Sequence, residues 1–245
     1  RIDFEIVQTL GGFNPDEGTV RRANVECPLC HSVIDDDTTR ALFRAGKAGQ
    51  RMVAVVLHHP QQTGKRYRLP TEDDLNAYRA AEQALATKRE HLRHQWGIDP
   101  VPDELIPTPC HEVDRLPMYG MPRWGDVFNP RQLLALITFA DLVRQYANAP
   151  AQDPDFAKAV ATYLALAVDM MAAFCNSLAR WENTSEAIKQ VFSRQALPML
   201  WDYAEVNPLS GSTGSWQNGT EYYLEVLTHL TQLAESLQEE ARGRD

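Results

Sequence analysis

Apolar and polar positions change their period once along this chain. Up to about residue 70 the apolar residues fall in short alternating or β-branched runs, and beyond it they recur at helical spacing. Residues 1–10, RIDFEIVQTL, alternate and predict a strand, ended by Gly11-Gly12. Ala23 to Glu26 predicts a short strand entering Cys27-Pro-Leu-Cys30-His31, and Asp35 to Asp37 form a turn or helix cap before a short helix over Thr39 to Lys47. Arg51 to Leu57, RMVAVVL, is the clearest strand, being apolar and β-branched. Lys65 to Leu69 lies across a Gln-Gln-Thr-Gly turn and pairs with it as a hairpin.

The helical part opens at Thr71-Glu-Asp-Asp74, a capping-box pattern, and this first helix runs to about His94 with a polar, alanine-rich, peripheral face. Residues 97–128 carry Pro100, Pro102, Pro107, Pro109, Pro117 and Pro122, which predicts an ordered wrapping segment. Its Leu105, Ile106, Met118, Tyr119, Met121 and Trp124 need burial. Asn129-Pro130 caps an amphipathic helix with Leu133, Leu136, Ile137, Ala140 and Leu142 at helical spacing. Asp153-Pro-Asp then opens Asp153 to Trp181, apolar on nearly every face. That pattern predicts a buried central helix of a soluble domain. Lys158 and Asp169 interrupt it before the roughly 18 uncharged residues of a membrane span. Asp169 reads as a residue that caps or pairs with an arginine across helices, with a catalytic role as the alternative. A shorter helix is expected from Thr184 to Gln195, another turn or two over Met199 to Glu205, a small-residue loop over Asn207 to Ser215, and a last helix from about Gln217 to Arg242. The expected fold is α+β, predominantly α-helical. A small N-terminal zinc-ribbon-like β lobe (residues 1–70) precedes a helical domain (residues 71–245).

Charge divides at the same place. Of the net charge of −9, residues 1–70 hold ten Lys/Arg against eight Asp/Glu, and residues 71–245 fourteen against twenty-five. From Thr38 to Pro70 no acidic residue occurs, yet Arg40, Arg44, Lys47, Arg51, Lys65, Arg66 and Arg68 do. Seven cations on a compact lobe suit a phosphate backbone, with Phe43, Tyr67 and His58-His59 as stacking or base contacts. The competing reading is a solvated face balanced by acidic residues elsewhere in the fold. The acidic helical part repels nucleic acid and suits a protein partner.

Four cysteines in 245 residues do not make a disulfide framework, and a reducing, cytoplasmic setting follows. Cys27 and Cys30 sit three apart on a tight turn, where two thiolates can face one tetrahedral zinc. The other ligands are expected outside this stretch, Cys110-His111 being poor geometry for two ligands on one metal. The C-x-x-C-H spacing also fits haem attachment, which usually sits on a helix, and the remaining reading is two free thiols. The loop Asn207 to Ser215 fits neither a P-loop nor the dinucleotide fingerprint. The chain opens on Arg1 without a signal segment and reads as a piece of a longer protein.

Residues 119–145, 156–181 and 194–216 resemble the large bacterial and archaeal adenine-specific DNA methylases that contain a zinc ribbon. The N-terminal lobe is similar as well, with Cys27-Pro-Leu-Cys30, the basic segment Arg44 to Arg51 and Pro70-Thr-Glu-Asp73 in the family's order. The resemblance implies a parent enzyme that transfers a methyl group from S-adenosylmethionine to adenine N6. It places the cofactor motif and a first C-P-x-C upstream and the D-P-P-Y motif downstream. Asn207-Pro208-Leu209-Ser210 lacks the second proline and the aromatic of that tetrad, so no catalytic residue carries over. At His31 the family usually has glycine, which makes this histidine a conceivable substitute ligand. The expected function is therefore an internal domain of an adenine-N6 DNA methyltransferase that positions DNA or frames the active site. The alternatives are a protein-interaction module of a modification or defence system, and an independent enzyme with a site near Asp169.

Overall fold

The computed structural model describes residues 3–7, 11–12, 14, 18–59, 61–110, 112–193 and 195–242. It is a mixed α+β fold with six α-helices and seven short strands among those residues. The strands form three small antiparallel sheets. β1 (Val20–Arg21), β2 (Asn24–Glu26) and β3 (Val33–Ile34) make the first. β4 (Val55–His58) and β5 (Lys65–Arg68) form the expected hairpin, with Val55 opposite Arg68 and His58 opposite Lys65. β6 (Arg180–Glu182) pairs with β7 (Ala187–Lys189).

Each long helix begins where its side chains satisfy the first free amides. α1 (Asp36–Arg44) is capped by Asp35, whose Oδ1 accepts from Thr38 N at 2.7 Å. α2 (Glu72–Trp96) opens on a Thr71/Asp74 capping box and stops at Gly97, which takes the left-handed conformation at φ +73°. The four-residue α3 (Arg115–Met118) lies in the proline-rich segment. α4 (Pro130–Asn148) opens on a second box: Asn129 Oδ1 accepts from Gln132 N at 3.0 Å, and Asn129 N donates to Gln132 Oε1 at 2.8 Å. α5 (Pro154–Phe174) is capped by Asp153, and α6 (Trp216–Arg242) is the last helix.

α4 packs against α2 on one side and α5 on the other, and α6 packs against α5. The core lies along that row. Leu136, Met171, Cys175, Ala179, Ile188 and Val206 form its centre; Leu85, Leu92, Val101 and Ile137 join α2 to α4. The proline-rich segment packs through Ile106, Leu116 and Val127 against Leu178 and Val191. Leu92 and Met171 are fully buried, each worth about 1.5–3 kcal/mol relative to exposure.

Several expectations need correction. Residues 3–7 form no strand, and the rest of the expected first strand lies outside the described residues apart from this stretch. The strand expected over 51–57 begins only at Val55. The helix expected over 184–195 is instead the turn and second strand of the β6–β7 hairpin, followed by a short 3-10 turn over Val191–Ser193. Ile188 and Val191 are apolar and β-branched, and Ile188 points into the core, so tertiary burial outweighs a weak helical pattern. The segment 199–206 is irregular.

The largest correction concerns α5. It ends at Phe174, and only Ala161, Ala167 and Met171 along it are buried. Phe156, Tyr163 and Leu166 are exposed, as is Asp169. α4 and α6 cover two sides and leave the rest open. Among the described residues α5 is the one helix long and apolar enough to cross a membrane, with a mean hydropathy of 1.4 over its most apolar window. A half-covered helix between two neighbours has the same composition.

Candidate functional site

The turn Cys27 to His31 joins β2 to β3. Cys27 N donates to Ser32 O at 2.9 Å and His31 N to Cys27 O at 2.9 Å, which closes the loop on itself. His31 sits in left-handed backbone, φ +56°, a conformation glycine adopts without steric cost. Cys30 is exposed and Cys27 half-buried. Cys30 Sγ lies 3.0 Å from Ser32 Oγ. That contact first, then the Ser32 amide and Cys27, lowers the Cys30 thiol below the ordinary range. A thiol held this way suits a soft divalent cation, and the pair supplies half of a tetrahedral set. His31 Nδ1 lies 2.8 Å from Glu26 Oε1, which leaves its Nε2 free of that contact. Among the described residues no group of three or more metal-ligating side chains forms. Cys110 Sγ donates to Glu112 Oε2 at 3.1 Å, and His111 lies outside the described residues. The two thiols therefore fit zinc only as a half site. The motif lies on a hairpin turn, not on a helix as haem attachment would have it.

The seven cations separate into two groups. Arg40 pairs with Asp36 at 3.0 Å, one turn back on α1, and approaches Asp37 at 3.6 Å. Arg68 binds Asp74 through both guanidinium nitrogens, at 2.5 and 2.9 Å, and so ties β5 to the start of α2. Those bonds, together with the Thr71 amide and hydroxyl, hold the Asp74 carboxyl far below its ordinary range. The Arg51 guanidinium lies 4.7 Å over the Phe4 ring. Arg44, Lys47, Lys65 and Arg66 make no ion pair among the described residues, and all but the half-buried Lys65 are exposed. In β4–β5, register places Arg66 and Arg68 on one face and Lys65 with Tyr67 on the other. Tyr67 faces the β6–β7 hairpin. Its hydroxyl donates to Glu186 Oε1 at 2.9 Å, and its ring meets Trp181 edge-on at 6.3 Å.

A third constellation had no motif to announce it. Arg131 binds Glu205 through Nε at 2.7 Å and Nη2 at 3.0 Å, a bidentate pair. Asn129 uses both amide hydrogens, donating to Glu205 Oε2 at 2.9 Å and to Tyr203 OH at 3.0 Å. Tyr203 OH in turn donates to Gln50 Oε1 at 2.7 Å. The Arg131 guanidinium lies 5.4 Å from the Tyr78 ring centre. Burial, then the neighbouring Tyr203 and Glu205, pushes the Tyr78 hydroxyl up to about 12. This network fastens α2, α4, the irregular segment 199–206 and the basic loop at one point. Its members are far apart in sequence, and only the Asn129 cap was legible there.

Trp201, exposed and in edge-on contact with Phe43 and Tyr119, was not legible from the sequence either. It lies in a segment without periodicity, between Pro198 and Pro208, so no face could be assigned to it. No protein-family model, no curated protein and no solved structure matches the chain.

Proposed function

We propose that this chain is an internal domain of an S-adenosylmethionine-dependent adenine-N6 DNA methyltransferase, and that it positions DNA. The sequence resemblance described above supports the enzyme class. One structural observation supports the DNA contact: Arg44, Lys47, Lys65 and Arg66 stand without ion pairs among the described residues, inside an acid-free stretch. Cations compensated by the fold would have supported the competing reading, and Arg40 and Arg68 are compensated. The DNA role therefore narrows to four residues. S-adenosylmethionine would be held by the parent enzyme outside this chain. Zinc would be held by Cys27 and Cys30 with ligands from elsewhere, and would fix the N-terminal β lobe as a zinc ribbon. The methylase domain boundary proposed between lobe and helical part falls at Pro70, where Arg68–Asp74 clamps the junction.

Duplex binding measured against salt tests the proposal. Four neutralised phosphates give a slope of log affinity on log salt of roughly −3.6. Joint replacement of Arg44, Lys47, Lys65 and Arg66 by glutamine should flatten it. Binding that survives this replacement unchanged would remove the basic lobe from the DNA role.

A second reading, a protein-interaction module, is favoured by the exposed apolar residues of α5 and α6. Phe156, Leu224, Leu230 and Leu233 are exposed, and Leu224 lies beside Glu221 and Glu225. The third reading, an enzyme centred on Asp169, loses its premise, because Asp169 is exposed on α5 rather than enclosed.

A further inference from the structure

Trp201 is the one exposed tryptophan of the five, with 44% of its surface open. It is nevertheless held in place. Its ring meets Phe43 at 5.4 Å and 86°, and Tyr119 at 5.7 Å and 77°. Phe43 and Tyr119 meet each other at 5.4 Å and 87°. Three mutually edge-on rings fix the indole orientation while leaving part of it to solvent. Two residues on, Tyr203 OH donates to Gln50 Oε1 at 2.7 Å. The segment from Phe43 to Gln50 is thus fastened to the segment from Trp201 to Tyr203 at both ends. Between the two fastenings lie Arg44 and Lys47, both exposed and both without an ion pair among the described residues. The loop is folded tightly, with Gly46 N bonded to Phe43 O at 2.9 Å and Lys47 N to Leu42 O at 3.0 Å. Arg44 thus follows Phe43 directly in the chain, and the turn brings the Lys47 backbone back against Leu42, next to the aromatic trio. Of the two acidic residues on the facing segment, Glu205 is held by Arg131 and Asn129, and Asp202 is exposed.

A pinned, half-open indole beside uncompensated cations is the combination that binds a single nucleic-acid strand. The aromatic face accepts any base, and the cations follow its phosphates. We infer that Trp201 is a stacking platform for an unpaired DNA base, with Arg44 and Lys47 holding the phosphates beside it. This rests on the DNA reading above and adds what that reading lacks, a site that distinguishes an unpaired strand from a duplex. An enzyme acting on a base must take it out of the stack, and a protein surface that receives an unpaired base lowers the cost of doing so.

The test uses the 245-residue chain with an oligothymidylate and with a duplex of equal length. Tryptophan fluorescence should be quenched by the single strand. Trp201→Leu should weaken single-strand binding on the order of tenfold and leave duplex binding unchanged. Trp201→Phe keeps the ring contacts to Phe43 and Tyr119, so it should stay folded, retain most of the affinity and lose the quench. Asp202→Asn should tighten single-strand binding by removing the adjacent negative charge. If the chain binds both DNAs and Trp201→Leu, folded by circular dichroism, binds single strands as the parent does, the platform is wrong and the DNA reading stands. A quench that persists in Trp201→Phe would equally overturn it. If the chain binds neither DNA at low salt, both inferences fall.

Discussion

Replacing Asn129 by alanine should be among the most damaging changes at a polar side chain in this protein. Asn129 is 2% exposed. Its Oδ1 caps α4 by accepting from Gln132 N at 3.0 Å, and its Nδ2 donates at 3.0 Å to Tyr203 OH and at 2.9 Å to Glu205 Oε2. Loss of an N-cap costs about 1 kcal/mol. Leaving the two acceptors short of a donor at a largely enclosed point adds about 1–3 kcal/mol. The whole effect is therefore about 2–4 kcal/mol, read as a shift in the urea midpoint at unchanged slope. Asp153→Ala supplies the contrast. Asp153 caps α5 through the same type of bond, to Phe156 N at 3.0 Å, but is exposed and caps only. It should cost about 1 kcal/mol. Asn129→Ser separates the two contributions, because serine keeps a capping oxygen and drops both amide bonds. Equal losses for Asn129→Ala and Asp153→Ala would refute the role given to the network.

Acid should weaken the fold through its paired aspartates. The bonds from Arg89 first hold Asp99 below its ordinary range; at Asp141 burial acts to raise the carboxyl, and the bonds from Lys88 and Gln145 prevail to lower it. A depressed folded value gives stability that is fully present above the unfolded value, about 3.9, and is lost as pH falls towards the folded one. Circular dichroism between pH 5 and pH 2 should show that loss, and Asp99→Asn should reduce it. Thiol labelling should separate the cysteines: Cys27, Cys30 and Cys110 react in the native chain, whereas Cys175, 2% exposed and pushed up to about 12 by burial, reacts only on unfolding. Native labelling of Cys175 at the rate of the others would contradict the packing described here. Gly214→Ala should destabilise by more than about 1 kcal/mol, since φ there is +83° and an added Cβ would sit 2.6 Å from Phe174 Cβ. A thermal midpoint unchanged from the parent would show that the loop is not held as described.

The helix starts were legible because each is written locally. Thr71 with Asp74, Asn129 with Gln132, and Asp153 before Pro154 each satisfy their own helix's amides, and no tertiary contact is needed to see this. The β4–β5 hairpin was legible for the same reason. Burial was not. The composition of α5 suggests a helix enclosed on all sides, but enclosure depends on how many neighbours arrive, and among the described residues its main helical neighbours are α4 and α6. The β6–β7 hairpin was missed because Ile188 is buried in a tertiary cluster that reaches as far along the chain as Leu136. At the candidate site the sequence revealed which residues carry charge and left open which of them the fold neutralises. Arg68 and Lys65 looked equivalent there. In the fold, Arg68 is clamped to Asp74, while Lys65 is half-buried on the opposite face of the hairpin. The Arg131–Glu205 pair spans 74 positions and had no local signal.

The most direct test of the DNA-positioning role is fluorescence anisotropy of a labelled adenine-containing duplex titrated with the chain from about 50 to 200 mM salt. Affinity should fall on the order of a hundredfold over that range if four phosphates are neutralised. The variant with Arg44, Lys47, Lys65 and Arg66 replaced by glutamine should lose both the affinity and the salt dependence, while Arg40→Gln, whose charge is already paired with Asp36, should lose little of either. No binding at the lowest salt, or equal losses from Arg40→Gln and from the four-residue variant, would contradict it.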